Sequence, residues 1–146
     1  LQGGILYSIS ISPERGQLKK EVPEARVIEN FGIENDGHAG DWDRQVTCLN
    51  KASVDRVNKE YGLNVGPGGF AENLLIEGID LVSIGVGGML KIGEDVILKV
   101  MQIGKEDHPS IVTRTYGGIT LLPYEGLFCR VVKGGIIRRG DKVEVL

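Results

Sequence analysis

Short apolar runs rich in β-branched residues, separated by glycine, recur along the chain and predict many short strands rather than a few long helices. Residues 4–12 alternate, with Ile5, Tyr7, Ile9 and Ile11 on one side and Ser8, Ser10 and Ser12 on the other, which predicts a half-buried strand. After Pro13 the pattern stops. Segment 14–24 is polar, carries Lys19, Lys20 and Pro23, and reads as an exposed hairpin or loop.

Residues 45–49 (QVTCL) form the next strand pattern and run into Asn50, a plausible N-cap. A helix from Lys51 to Tyr61 follows, with Val54, Val57 and Tyr61 sharing a face and Gly62 as its left-handed stop. Residues 65–78 (VGPGGFAENLLIEG) read as a Gly/Pro loop leading into a strand over 72–77. Another strand covers 95–103. Segments 87–98 (GGMLKIGEDVIL) and 134–145 (GGIIRRGDKVEV) share one pattern of two glycines, an apolar pair, then Gly, an acid and Val. Two such hairpin corners, in which the glycines allow bends and the acid bonds turn amides, point to a β-barrel and are architectural.

Composition narrows the class. With 146 residues, 41% hydrophobic and 25% charged, the chain reads as one globular domain over residues 1–146. A net charge of -3 argues against nonspecific nucleic-acid binding, which needs a basic surface. No apolar run is long enough to span a bilayer and the start lacks a signal-peptide layout, so a cytoplasmic location without a membrane partner is expected. The first residue is Leu rather than Met, as in a trimmed or excised domain.

Candidate chemistry concentrates in residues 37–46 (GHAGDWDRQV), preceded by Asp36. His38 either pins its own loop or presents an imidazole to an anion or a metal. Arg44 either offers its fork of donors to a phosphate or carboxylate, or pairs with Asp41 or Asp43. The acids Asp36, Asp41 and Asp43 suit turn formation better than metal binding, since no calcium-loop or HExxH spacing occurs, and no metal ligand is assigned. Segment 104–108 (GKEDH) ends a strand and groups Lys105, Asp107 and His108 before Pro109; Lys105 and His108 suit an anion, or the loop is simply solvated. Arg114 and Lys133 are further basic candidates. Cys48 and Cys129 lie in apolar runs and read as buried, and Arg130 should face away from Cys129. Nothing matches a Ser-His-Asp triad, a Walker loop or a dinucleotide fingerprint, and no catalytic residue or enzyme class is assigned.

Four blocks together, GHAGDWDRQV at 37–46, PGGFAENL at 67–74, LKIG at 90–93 and GLFCRVVKGGIIRRGD at 126–141, resemble the MOSC domain family, named for the C-terminal domain of molybdenum cofactor sulfurases. The resemblance runs over nearly the whole chain. It implies a mainly β fold, a MOSC-type β-barrel with a few short helices. It also implies a role with the molybdenum cofactor (molybdopterin): binding it in cofactor handling or biosynthesis, carrying sulfur to it, or using it in reductive chemistry. Pyridoxal phosphate binding is a further family-level association. A cofactor-biosynthesis or sulfur-donor protein is the implied partner. In such a site Arg44, Lys105 and His108 would meet the phosphate, Asn73 the pterin edge, and His38 would complete one wall. Many members read roughly GKxCH where this chain has GKEDH, so Asp107 stands in place of the proposed persulfide carrier. A carboxylate forms no persulfide. The alternatives are a molybdenum-dependent reductase, a sulfur transferase, or a structural or interaction barrel that has lost the site.

Overall fold

A computed structural model describes residues 3–146. Its strands are β1 (Gly3–Ile11), β2 (Lys20–Val22), β3 (Glu24–Ile28), β4 (Gly32–Ile33), β5 (Val46–Asn50), β6 (Leu74–Glu77), β7 (Met89–Ile92), β8 (Val96–Ile103), β9 (Leu127–Lys133), β10 (Gly135–Arg138) and β11 (Lys142–Val145). The helices are α1 (Lys51–Tyr61), α2 (Ile111–Thr115) and α3 (Leu122–Glu125), with a 3-10 turn at Leu81–Ile84. Seven strands close a ring in the order β1-β11-β7-β8-β9-β5-β6, because β11 pairs with both β7 and β1. The fold is therefore mainly β and built on a closed barrel. β2 adds to β1 outside the ring, while β10, β3 and β4 make a separate three-stranded sheet. The β5–β6 pair is parallel, and α1 supplies the crossover that a parallel pair requires. Among the described residues no helix is long and apolar enough to cross a membrane.

The barrel core includes Leu6, Ile9, Val46, Cys48, Leu74, Leu98, Cys129 and Val143. A second core, with Leu49, Val54, Val57, Phe70, Leu75, Leu122 and Phe128, packs α1, α2 and α3 on the outside. β5 separates the two: Val46 and Cys48 join the first and Leu49 the second. Covering both faces explains its unbroken apolar run. Each fully buried aliphatic side chain stabilises the fold by ~1.5–3 kcal/mol.

Several expectations change in the structure. β1 does not keep one face, because a bulge between Leu6 and Ser8 in its pairing with β6 shifts the alternation. Leu6 and Ile9 are therefore both fully buried, while Ile5 and Tyr7 are 45% and 40% exposed. Ser8 and Ser10 are buried as well. Segment 14–24 is the expected hairpin, with Lys20–Val22 pairing antiparallel to β1, but it is not exposed throughout: Lys19 is 4% exposed. α1 spans Lys51–Tyr61 as the periodicity predicts, and Gly62 ends it at φ 63°. Asn50, however, does not cap it with its side chain; that oxygen accepts from Leu81 N at 3.3 Å. Tyr61 lies on the exposed side, and Ser53 joins Val54 and Val57 on the buried one. The strand expected over 72–77 begins at Leu74, and the one over 95–103 begins at Val96.

The two similar corners are not equivalent. β7 and β8 form a true hairpin with Ile92 opposite Val96. β10 instead pairs with β3, and the turn at 138–141 hands the chain back to the barrel as β11. Asp141 still serves the turn as expected, accepting from Arg138 N at 2.8 Å.

Candidate functional site

The register of three strands builds one cleft. Thr47 of β5 lies opposite Phe128 of β9, and Phe128 lies opposite Gln102 of β8, so the segment before β5 and the segment after β8 flank the same stretch of β9. His38, Trp42 and Arg44 come from the first segment and Lys105, Glu106, Asp107 and His108 from the second. Together with Thr47, Phe70, Phe128 and residues of α2 and α3 they line a cleft of about 210 Å³.

Behind His38 sits an ion pair buried from solvent. Lys19 Nζ donates to Asp36 Oδ1 at 2.7 Å and to Ser12 Oγ at 3.1 Å, with both charged side chains fully covered. It also lies 3.0 Å from His38 Nδ1. Asp36 accepts in addition from Ser12 N at 3.1 Å and His38 N at 3.2 Å. The chain reaches this arrangement because Gly37 lets the two loops touch: a Cβ there would lie 2.5 Å from the Glu14 carbonyl carbon. Burial and then the Lys19 charge push the His38 pKa down to about 4; Asp36 opposes this, while Arg15 and Lys105 add to it. His38 is therefore uncharged at neutral pH. Its ring stacks on Trp42 at 6.1 Å and 7° between planes, and the Arg15 guanidinium lies 4.1 Å from the Trp42 ring centroid on a loop over the cleft.

On the other wall, the cations stay close together. Arg44 Nη2 donates to Glu106 Oε2 at 3.2 Å, and its guanidinium lies 5.2 Å from the Phe128 ring centroid. Lys105 is partly buried, and desolvation followed by the nearby Arg44 charge lowers its pKa. Asp107 accepts the phenolic hydrogen of Tyr124, a bond that raises the Tyr124 pKa. His108 Nδ1 lies 3.1 Å from the Pro109 carbonyl at the exposed rim.

Five expected residues, His38, Arg44, Lys105, Asp107 and His108, thus share the cleft. Asn73 does not. It is fully buried, accepts from Thr47 N at 3.0 Å and Thr47 Oγ1 at 3.2 Å, and donates Nδ2 to Ser10 O at 3.0 Å. Its polar edge is spent on bracing Thr47, so it supports the cleft from behind. Arg44 pairs with neither Asp41 nor Asp43; both meet Arg130, at 3.3 and 2.8 Å. Arg114 lies in α2 and Lys133 pairs with Asp95 at 3.8 Å, and neither lines the cleft. Cys48 and Cys129 are both fully buried in the barrel core, and the mutual contact of the thiols together with burial drives the Cys129 pKa well up. Among the described residues no three His, Cys, Asp or Glu side chains converge as a metal group.

Lys19 and Trp42 are the site residues that sequence reasoning missed. Lys19 had no periodic signal, since it lies in a polar loop whose burial depends on a contact 17 residues away. Trp42 belonged to the recognised block but had no assigned partner.

Comparison with known proteins places the chain in a family. The barrel superposes on the YUAD protein from Bacillus subtilis with TM-score 0.77 at 18% identity, covering 98% of this chain and 95% of that one. YiiM from Geobacillus stearothermophilus gives TM-score 0.72 at 18% identity, covering 98% of this chain and 75% of that one. For YiiM from Escherichia coli the TM-score is 0.69 at 18% identity, with 100% and 70% of the two chains covered. No curated protein matches the sequence. The MOSC domain sequence model matches residues 35–109, which hold His38, Arg44, Lys105 and Asp107 and make up half of the chain, and on that match the chain belongs to the MOSC domain family.

Proposed function

We propose that the cleft binds the phosphate-bearing end of the molybdenum cofactor, and that the protein acts in handling the cofactor. One observation carries this reading: the uncharged ring of His38, the Arg44 guanidinium and the Lys105 ammonium all line the same small cleft. Family membership, generally linked to molybdenum cofactor function, supports the choice of ligand.

The residues fit such a group in donor chemistry and in size. Arg44 offers a planar fork to phosphate oxygens and Lys105 a point charge. The opposing carboxylates are already engaged, Glu106 by Arg44 and Asp107 by Tyr124. Pockets for whole drug-sized ligands run to roughly 300–1,000 Å³. A cleft of about 210 Å³ therefore suits the phosphate and the adjoining part of the pterin. When bound, the cofactor supplies its own metal and dithiolene, while the chain holds the anionic end. Sulfur carriage lacks a thiol in the cleft, since Asp107 lines it and both cysteines are buried in the barrel.

The test is recovery of a fluorescent oxidised pterin from protein purified from cells that make the cofactor. Wild type should carry it, and Arg44→Ala should reduce it at least tenfold with the fold intact. Equal recovery from both, or none from wild type, overturns the reading.

A further inference from the structure

We propose that Lys19 is a positioning residue that fixes His38 as a neutral hydrogen-bond donor, so that the cleft selects dianionic phosphate esters over their protonated monoanions. The ester selection rests on the anion-binding reading above; the Lys19–His38 relationship does not.

A lysine ammonium has three donors and no lone pair. Asp36 Oδ1 and Ser12 Oγ take two of them, and the third partner, 3.0 Å away, is His38 Nδ1. Nδ1 must accept, so the single ring proton of the neutral imidazole sits on Nε2. Adding a second proton would place an N–H against the ammonium in a site closed to water. Asp36 faces the same group but is already held by Lys19, Ser12 N and His38 N, and the charges of Arg15 and Lys105 reinforce the Lys19 effect. Trp42 fixes the ring plane by stacking on it, and donates its Nε1 proton to His38 O at 2.7 Å.

The consequence is a set of inner groups that only donate. His38 presents Nε2–H, and Arg44 and Lys105 have no acceptor. Glu106 and Asp107, each with one oxygen engaged by Arg44 or Tyr124, lie with His108 on exposed chain at the rim rather than among these inner groups. A phosphate ester that keeps its proton meets no acceptor for it among His38, Arg44 and Lys105, whereas the dianion accepts from all three.

Two measurements decide this. Long-range nitrogen–proton NMR on the native protein should show His38 as the Nε2–H tautomer, untitrated down to about pH 5; an Nδ1–H tautomer, or a midpoint near the ordinary 6.5, overturns the proposal. Lys19→Met should move that midpoint up toward 6.5, while the native spectrum needs no variant to fold. The fluorescence of Trp42, the only tryptophan, then follows titrations with sulfate and with phenyl phosphate. With His108→Gln as the background, so that His38 is the one imidazole left at the cleft, sulfate affinity should stay within about twofold from pH 5 to 7.5, because sulfate stays a dianion. Phenyl phosphate affinity should rise roughly tenfold, tracking a second ionisation near pH 6. Flat phenyl phosphate affinity, or sulfate tightening toward acid, overturns the selection. Failure of both anions to bind at any pH strikes the anion cleft itself, and the NMR result still decides the Lys19–His38 arrangement.

Discussion

Arg44 and Glu106 pair directly in the lining of the cleft, 62 residues apart in sequence, with Arg44 Nη2 donating to Glu106 Oε2 at 3.2 Å. Their exposures differ: the arginine side chain is 24% exposed and the glutamate 75%. An arriving anion therefore competes with Glu106 for a guanidinium that is itself held in place over Phe128. Exposed ion pairs are weak and salt-screened. Glu106→Gln should accordingly tighten phosphate-ester binding by roughly twofold to fivefold, an effect that shrinks at high salt. Titration of Trp42 fluorescence at two salt concentrations measures it, and unchanged or weaker binding would show that Glu106 does not compete.

The thiols should be silent. Cys48 and Cys129 have no exposed surface, and burial with the thiol–thiol contact keeps Cys129 protonated well above neutral pH. Native protein treated with a thiol-specific alkylating reagent should take up less than about one-tenth of the label that it accepts in denaturant. After incubation with a sulfur donor it should show no persulfide. Rapid native labelling of either residue would restore a sulfur-carrying role.

Much of this architecture was legible from the chain because its signals are local. α1 runs from Lys51 to a left-handed stop at Gly62 as the residues alone indicated, since a glycine stop and a 3.6-residue period act over one or two turns. The apolar run at 45–49 was equally readable, whereas the grouping of His38, Arg44, Lys105, Asp107 and His108 in one cleft came from the family resemblance, since no local signal joins segments about 60 residues apart. What was not readable depends on pairings between distant segments. The bulge at Leu6–Ser8 exists only against β6, so Tyr7 faced the wrong way. The 134–145 segment looks like the hairpin at 87–98, but its first strand finds β3. Lys19 looks like any surface lysine until Asp36 and Ser12 enclose it. Asn73 sits in a family block, yet its amide is consumed by Thr47 and Ser10.

Asn73 therefore makes a structural prediction rather than a binding one. Three of its bonds are with buried partners on β5 and β1, and removing the side chain leaves Thr47 N and Ser10 O without it. An unsatisfied buried group costs ~1–3 kcal/mol, so Asn73→Ala should lower unfolding free energy by roughly 2–4 kcal/mol. Urea denaturation measures this. The protein that remains folded should bind phenyl phosphate within about threefold of wild type if the residue acts only from behind the cleft. A large affinity loss at unchanged stability would instead put Asn73 in contact with the ligand.

Glu72 gives the clearest pH signature. Its carboxylate is buried and accepts from Gly68 N at 2.7 Å and Phe70 N at 3.1 Å. Burial outweighs those bonds and the Lys19 charge, and raises its pKa from 4.5 to about 7. For an acid shifted upward, the folded state holds a proton that the unfolded chain has released. The stabilisation is thus complete below pH 4.5 and is lost as pH rises through about 7. His38 acts with the opposite sign: its pKa falls from 6.5 to about 4, so its contribution is complete above 6.5 and is lost as pH falls through about 4. Between about pH 5 and 6.5 the two partly cancel in wild type, and stability should vary little from these groups. Glu72→Gln removes one of them. Its unfolding free energy should then rise with pH over that interval. The difference between wild type and variant should change by on the order of 2–3 kcal/mol from pH 4.5 to 8, favouring wild type at the acid end. Denaturation curves across this range decide the matter, and a wild-type-minus-variant difference independent of pH would mean that Glu72 titrates as an ordinary exposed carboxylate.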